Sequence, residues 1–192
     1  MSLTKVALII GLCVVLALSC VFFWAGMFDK CSITREPRGP YRLIYREYEG
    51  SYQGIRFVMN NVFRYVRDTL QLPATSGFAV FYDNPQTDKP DTLRSISGII
   101  VDSLVPVSPP YKTGKFERTD AVVGQFKIRS FFSYTTGGYK FYAELQQFLK
   151  EKNIEQTGPV MEIYDMIQRS IFFIAPVQRT TSPVPEFKRK TK

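Results

Sequence analysis

The chain contains no histidine and only three cysteines. Without histidine there is no Ser-His-Asp triad, no Cys-His nucleophile pair and no histidine-bearing zinc site. Cys13 and Cys20 lie inside the most apolar stretch, which leaves Cys31 alone in the rest of the sequence. A single thiol builds no intramolecular disulfide framework, and this fits a reducing compartment. A phosphate loop, a paired-cysteine metal motif and a Rossmann glycine pattern are also missing. None of Asn60, Asn61, Asn84 and Asn153 begins an Asn-x-Ser/Thr glycosylation sequon. These absences lead to the expectation of a protein that is not an enzyme, with no catalytic residues, no metal and no cofactor.

What is present is one long apolar run and one domain's worth of patterned sequence. The 192 residues suffice for a membrane segment plus a domain of about 150 residues. The formal charge of +8, from 25 basic and 17 acidic residues, suits an anionic partner or a membrane face and selects neither.

Val6 to Phe28 is a stretch of 23 residues without a charge. As a helix it reaches roughly 34 Å, enough to cross a hydrocarbon core of about 30 Å. Secretory h-regions are usually about 7–15 residues long, so the run reads as an uncleaved signal anchor. Phe22, Phe23, Trp24 and Phe28 crowd its C-terminal end, as interface anchors do. Upstream stand Lys5 and the α-amino group, while downstream come Lys30, Arg35, Arg38, Arg42 and Arg46. The positive-inside rule then sets the N-terminus in the lumen and the domain in the cytosol. Cys31, just past the apolar run, is a candidate for S-palmitoylation or an unmodified interfacial thiol.

The expected organisation is a luminal N-terminus (1–5), a transmembrane signal anchor (6–28), a polar linker (29–40), a domain (41–178) and a basic tail (179–192). Within the domain, Tyr41–Tyr48 reads as a strand. Ile55, Val58, Met59, Val62, Val66 and Leu70 recur at helical spacing until Pro73 and Gly77. Phe78–Tyr82 and Ser95–Val101 follow as strands, then a proline-bearing connector of about 20 residues. The series repeats with a strand at Gln125–Ser133, a helix after Gly137 and Gly138, and strands at Pro159–Tyr164 and Ser170–Val177. Ser51-Tyr52 corresponds to Ser133-Tyr134, and Gly77–Asp83 to Gly158–Asp165. A β-α-β-β unit cannot bury its own sheet, so two units packed together are the economical solution. The expected fold is α+β, with tandem β-α-β-β repeats in a pseudo-twofold arrangement. Its helices would cover one face and leave a groove on the other.

The runs Val80-Phe81-Tyr82-Asp83-Asn84-Pro85, Ser97-Gly98-Ile99-Ile100, Ser133-Tyr134-Thr135-Thr136 and Met161-Glu162-Ile163-Tyr164 resemble the GyrI-like domain family. With the N-terminal anchor, they resemble its members held at the endoplasmic reticulum membrane. The resemblance implies two functions. GyrI-like domains of bacterial multidrug-responsive regulators bind bulky apolar or cationic molecules between the repeats, often with help from a glutamate on a late strand. Members anchored at the endoplasmic reticulum serve as receptors for its selective autophagy, with the ubiquitin-like autophagosome protein and the valosin-containing AAA unfoldase as partners. The favoured expectation is a single-pass adaptor of the endoplasmic reticulum membrane, the alternative a membrane-tethered small-molecule binding module. The receptor motif is aromatic-x-x-aliphatic, and here Phe187 is followed by Lys188, Arg189 and Lys190. Tyr41-Arg-Leu-Ile44 and Tyr142-Ala-Glu-Leu145 match only the bare spacing, and a strand-adding partner needs an extended segment with free backbone groups.

Glu162 is the sharpest candidate, flanked by Met161 and Ile163 in an otherwise apolar strand. Alternation could point it into the groove, where a desolvated carboxylate favours a cation or a hydrogen-bond donor. Tyr52, Tyr82, Tyr134 and Tyr164 are candidates to line the same groove, offering flat apolar faces with polar tips. The competing reading has Glu162 in solvent or paired with an arginine, and the tyrosines as packing. Asp83 and Asp165 end equivalent strands and read as turn residues rather than a catalytic pair. The basic cluster from Lys188 to Lys192 suits weak attraction to anionic headgroups. No helix-turn-helix or aromatic-basic motif supports direct nucleic-acid contact.

Overall fold

Period-two and helical patterning alternate twice along the chain, and the computed structural model of the protein turns each alternation into one half of a single sheet. It describes residues 3–24, 26, 28–83, 87–177 and 183–187. The first element is α1 (Leu3–Trp24), with a mean hydropathy of 3.0 over Thr4–Phe23 and no part of that stretch buried against the domain. It is long and apolar enough to cross a membrane.

The first repeat comprises β2 (Tyr41–Glu49), α2 (Ile55–Arg64), β3 (Ser76–Phe81) and β4 (Arg94–Val101). The second comprises β6 (Thr119–Lys127), α3 (Ser133–Lys152), β7 (Met161–Asp165) and β8 (Ser170–Pro176). Two further strands, β1 (Ser32–Arg38) and β5 (Lys112–Phe116), complete an eight-stranded sheet in the order β1-β6-β8-β7-β3-β4-β2-β5. All pairings are antiparallel. The sequence β2-β4-β3 on one side of the β3–β7 seam mirrors β6-β8-β7 on the other, the pseudo-twofold arrangement expected from the repeats.

Both helices lie on one face. Phe141, Leu145 and Leu149 recur one turn apart on α3 and are buried with Val122, Phe126, Ile171 and Phe173 of the sheet. Phe141 stacks on Phe173 with ring centroids 4.7 Å apart. Gly124 makes room for this, because a Cβ there would stand 2.2 Å from the Phe141 ring. Val62 of α2 and Val66 of the π turn that follows it (Tyr65–Thr69) cover Ile44, Ile99 and Val101. Burying each such side chain contributes about 1.5–3 kcal/mol. The helices thus serve separate halves of the sheet, α2 over β3, β4 and β2 and α3 over β6, β8 and β1.

Four expectations are corrected. Residues 32–38 are strand β1 rather than linker, paired along β6. It is an edge strand with one side unpaired, where Pro37 is tolerated and polar residues prevail. The connector contains β5, and β6 begins at Thr119, six residues before the expected Gln125. Gly137 and Gly138 lie inside α3, and Gly137 is there because a Cβ would meet the Phe126 ring at 2.9 Å.

The fourth correction concerns the open face. That face carries Leu43, Tyr45, Phe78, Val80, Ile96, Met161, Ile163 and Ile174, and the expected groove is filled. Val184 is buried there, Pro183 O accepts from Glu117 N (2.9 Å), and Tyr82 Oη donates to Pro185 O (2.5 Å). So 183–187 is not solvated tail. The remaining tail residues 179–182 and 188–192, including the basic cluster, lie outside the described residues, as do Asn84 and Pro85.

Candidate functional site

Cross-strand register fixes which way each candidate points. Glu162 pairs with Ala79 of β3 and Phe173 of β8, and Phe173 pairs with Gly124, beneath Phe141. Directly paired residues share a face, so Glu162 is on the helix face, not in a groove opposite the helices. Tyr164, two residues on, shares that face and pairs with Gly77, above which Met59 of α2 packs. Since α2 and α3 cover the outer strands, β7 occupies the seam between them.

Glu162 is half-buried, and its Oε2 accepts a hydrogen bond from Tyr164 Oη at 2.7 Å. Among the described residues no arginine or lysine forms an ion pair with it. Burial pushes its carboxyl from 4.5 up to about 7, against the smaller opposing effect of the Tyr164 hydrogen bond. Tyr164 is raised well above its ordinary value, first by burial and then by the Glu162 charge. Tyr142 of α3 is raised by burial, then by Glu162 and Tyr52. The Tyr134 ring lies 5.9 Å from that of Tyr164. Near neutral pH this is a carboxylate poised between its two protonation states and flanked by aromatic rings.

Tyr52 opens a 3-10 turn (Tyr52–Gly54) capped by Ser51, whose side chain accepts from Gln53 N. Its hydroxyl bridges the carbonyls of Asp83 (2.8 Å) and Arg94 (3.2 Å), and its ring stands edge-on to Phe81 at 4.6 Å. Burial raises its hydroxyl. It is thus held at the α2 side of the seam while Tyr134 and Tyr142, about two-fifths exposed, stand on the α3 side. Tyr142 is the site residue that sequence reading missed as a liner. Its signal was its place beside Phe141, one position round the helix from the core stripe.

Tyr82 does not join this group. It points to the opposite face, packs near Phe187 (6.0 Å between centroids) and is raised by burial there. Cys31 is buried in the α3 cluster, 4% exposed, with its thiol pushed up to about 11 by burial. A thiol sealed beneath a helix is a poor acceptor for an acyl chain, so the lipidation candidate is corrected to a core residue. Asp83 receives Arg94 Nη2 (2.6 Å) and Arg94 N (2.6 Å), while Asp165 accepts from Ile167 N and Gln168 N in a turn. Both carboxylates are engaged in structure. Tyr41–Ile44 lies in β2, where Arg42, Leu43 and Ile44 are paired with both β4 and β5, and Tyr142 lies in a helix, so neither segment offers a free strand edge. A surface pocket of about 550 Å³ lies at the far end of α3, lined by Gln146, Leu149, Asn153 and Ile154, and includes none of the tyrosines.

No family model and no curated protein matches the sequence. Solved structures match in fold. The C-terminal domain of EcmrR is 10% identical with a TM-score of 0.59, covering 78% of this chain and 99% of that one. EcmrR in its complex with DNA is 11% identical with a TM-score of 0.60, covering 93% of this chain and 70% of that one. An uncharacterized conserved protein from Listeria innocua is 13% identical with a TM-score of 0.52, covering 78% and 93%. The likeness is one of fold: the domain after α1 has the GyrI-like fold.

Proposed function

We propose that this chain is a membrane-anchored binding module whose GyrI-like domain takes an apolar cation at the helix seam. The reading is carried by Glu162, a half-buried carboxylate with no ion-pair partner among the described residues and with Tyr164, Tyr142, Tyr134 and Tyr52 about it. Ionised, it supplies one negative charge in a poorly hydrated setting, where a delocalised cation loses less hydration than a metal ion would. Tyrosine faces add quadrupole attraction of about 0.5–2 kcal/mol each for a cation over the ring. Tyr134 and Tyr142 are the exposed rings, and the ligand enters by parting them. No catalytic step is assigned, because Asp83 and Asp165 are committed to the β3–β4 and β7–β8 turns.

In this reading α1 spans the membrane, and the bases after it hold the domain on the cytosolic side of the endoplasmic reticulum. The test is equilibrium binding of methyltriphenylphosphonium to the full chain in nanodiscs, with empty nanodiscs subtracted. Binding lost in Glu162→Gln supports the reading, and binding equal in both chains overturns it.

The order of anchor and GyrI-like domain favours a second reading, an adaptor resembling testis-expressed protein 264 in selective autophagy of the endoplasmic reticulum. Its support is that resemblance. Calorimetry of the full chain against the ubiquitin-like autophagosome protein and the valosin-containing AAA unfoldase tests it, and absence of heat with both would end it.

A further inference from the structure

Four large apolar side chains stand in the open at one end of the domain: Phe131 (68% exposed), Phe132 (61%), Met166 (60%) and Ile167 (75%). They come from two elements that touch. Phe131 and Phe132 precede α3, Met166 and Ile167 form the β7–β8 turn, and Ile128 N donates to Arg169 O (2.8 Å) between them. The β7–β8 turn is held in shape by Asp165 and by Arg169 at φ +49°. Soluble surfaces seldom gather such side chains without a partner.

The partner is indicated by where α1 ends. Gly26, two residues beyond Trp24, is buried so closely against Arg129 that a Cβ would meet its Cδ at 3.2 Å. Arg129 Nε pairs with Asp29 Oδ2 at 2.6 Å, and Lys140 Nζ donates to Asp29 O. The loop that carries Phe131 and Phe132 is therefore fastened to the segment leaving the apolar helix. Two or three residues reach at most about 11 Å from Arg129, comparable to a headgroup layer of about 5–7 Å plus one aromatic ring. Lys127 and Arg169 flank the patch as exposed bases, complementary to anionic headgroups.

We infer that Phe131, Phe132, Met166 and Ile167 seat in the interface of the same bilayer that α1 crosses, so the domain is docked on the membrane by one face rather than swinging from it. The inference rests on the anchoring reading and not on any ligand. It has a consequence for the seam: Phe131 contacts Tyr134 (6.5 Å), and Tyr134 contacts Tyr164, so the tyrosine cluster adjoins the bilayer surface.

The experiment uses the full chain in a Trp24→Phe background, reconstituted in phosphatidylcholine–phosphatidylserine liposomes. Ile167→Trp places an indole in the patch, and Phe57→Trp places one on α2, where Phe57 is 74% exposed. Retention through a carbonate wash reports anchoring separately, and a chain that washes off overturns the anchoring reading and the docking with it. In retained protein, docking predicts an Ile167 indole quenched by brominated lipid and shielded from acrylamide, with the Phe57 indole showing the reverse. An Ile167 indole open to acrylamide overturns the inference. So does one shielded from both quenchers, which would mean a second copy or a protein covers the patch. Equal lipid quenching at both positions also overturns it, because no particular face would then be docked. Far-UV circular dichroism matching the parent chain is required of both variants, and Met166→Trp replaces Ile167→Trp if that variant unfolds.

Discussion

Replacing Glu162 by glutamine removes a charge that the fold holds at a cost, and the pH dependence of stability reads that cost directly. In the folded chain the carboxyl is pushed up from 4.5 to about 7 by burial. The folded state therefore binds this proton more tightly than the unfolded state does. The associated stability is fully present below pH 4.5 and is lost as pH rises toward about 7, with no further change above. At about 1.4 kcal/mol per tenfold change in affinity, the loss is about 3 kcal/mol. Glutamine keeps the shape and can still hydrogen-bond to Tyr164 Oη, but it does not titrate. The assay is urea unfolding of the full chain in detergent micelles, followed by far-UV circular dichroism from about pH 4 to about pH 8. The expected result is a stability that declines across this interval and a decline reduced by about 3 kcal/mol in Glu162→Gln. Parallel curves for the two chains would refute the claim that this carboxylate is desolvated.

Three further predictions concern the frame around the site. Asp83→Asn weakens the contacts from Arg94 to Asp83, beside the Asp83 carbonyl that Tyr52 Oη binds, and should cost about 2 kcal/mol in urea unfolding. Tyr82→Phe deletes the hydrogen bond to Pro185 O, costs about 1 kcal/mol, and should speed amide exchange at Val184, Glu186 and Phe187 without altering cation binding. Gly98→Ala sets a Cβ 2.0 Å from Ile44 O, and because the obstacle is backbone in the paired β2 strand, the loss lies toward the upper end of about 1–3 kcal/mol.

The repeat was legible because each half carries the same strand, helix and two strands, and because Ser51-Tyr52 and Ser133-Tyr134 mark the same turn into a helix in both halves. Facing was harder. Gly77–Asp83 has seven residues where Gly158–Asp165 has eight, and one residue of offset turns every following side chain to the other face of a strand. Tyr82 and Tyr164, equivalent by motif, therefore point to opposite sides. Glu162 was identifiable as a charge in an apolar strand, but the side it faces follows from its pairing with Phe173 across the β7–β8 hairpin and with Ala79 of β3, a contact remote in sequence. Strands β1 and β5 were hidden because edge strands with polar residues and proline lack an apolar run. The burial of Val184 and Phe187 against the sheet was hidden for a similar reason, since only two apolar residues in that segment carry the contact.

The most direct test of the central claim compares methyltriphenylphosphonium with methyltriphenylborate, ions of like shape and opposite charge, for binding to the full chain in nanodiscs. With Glu162 as counter-ion, the cation binds and the anion does not, and the cation's affinity rises by up to about tenfold per pH unit below pH 7 before levelling off. Equal binding of the two ions, or a cation affinity indifferent to pH over that interval, would contradict the account.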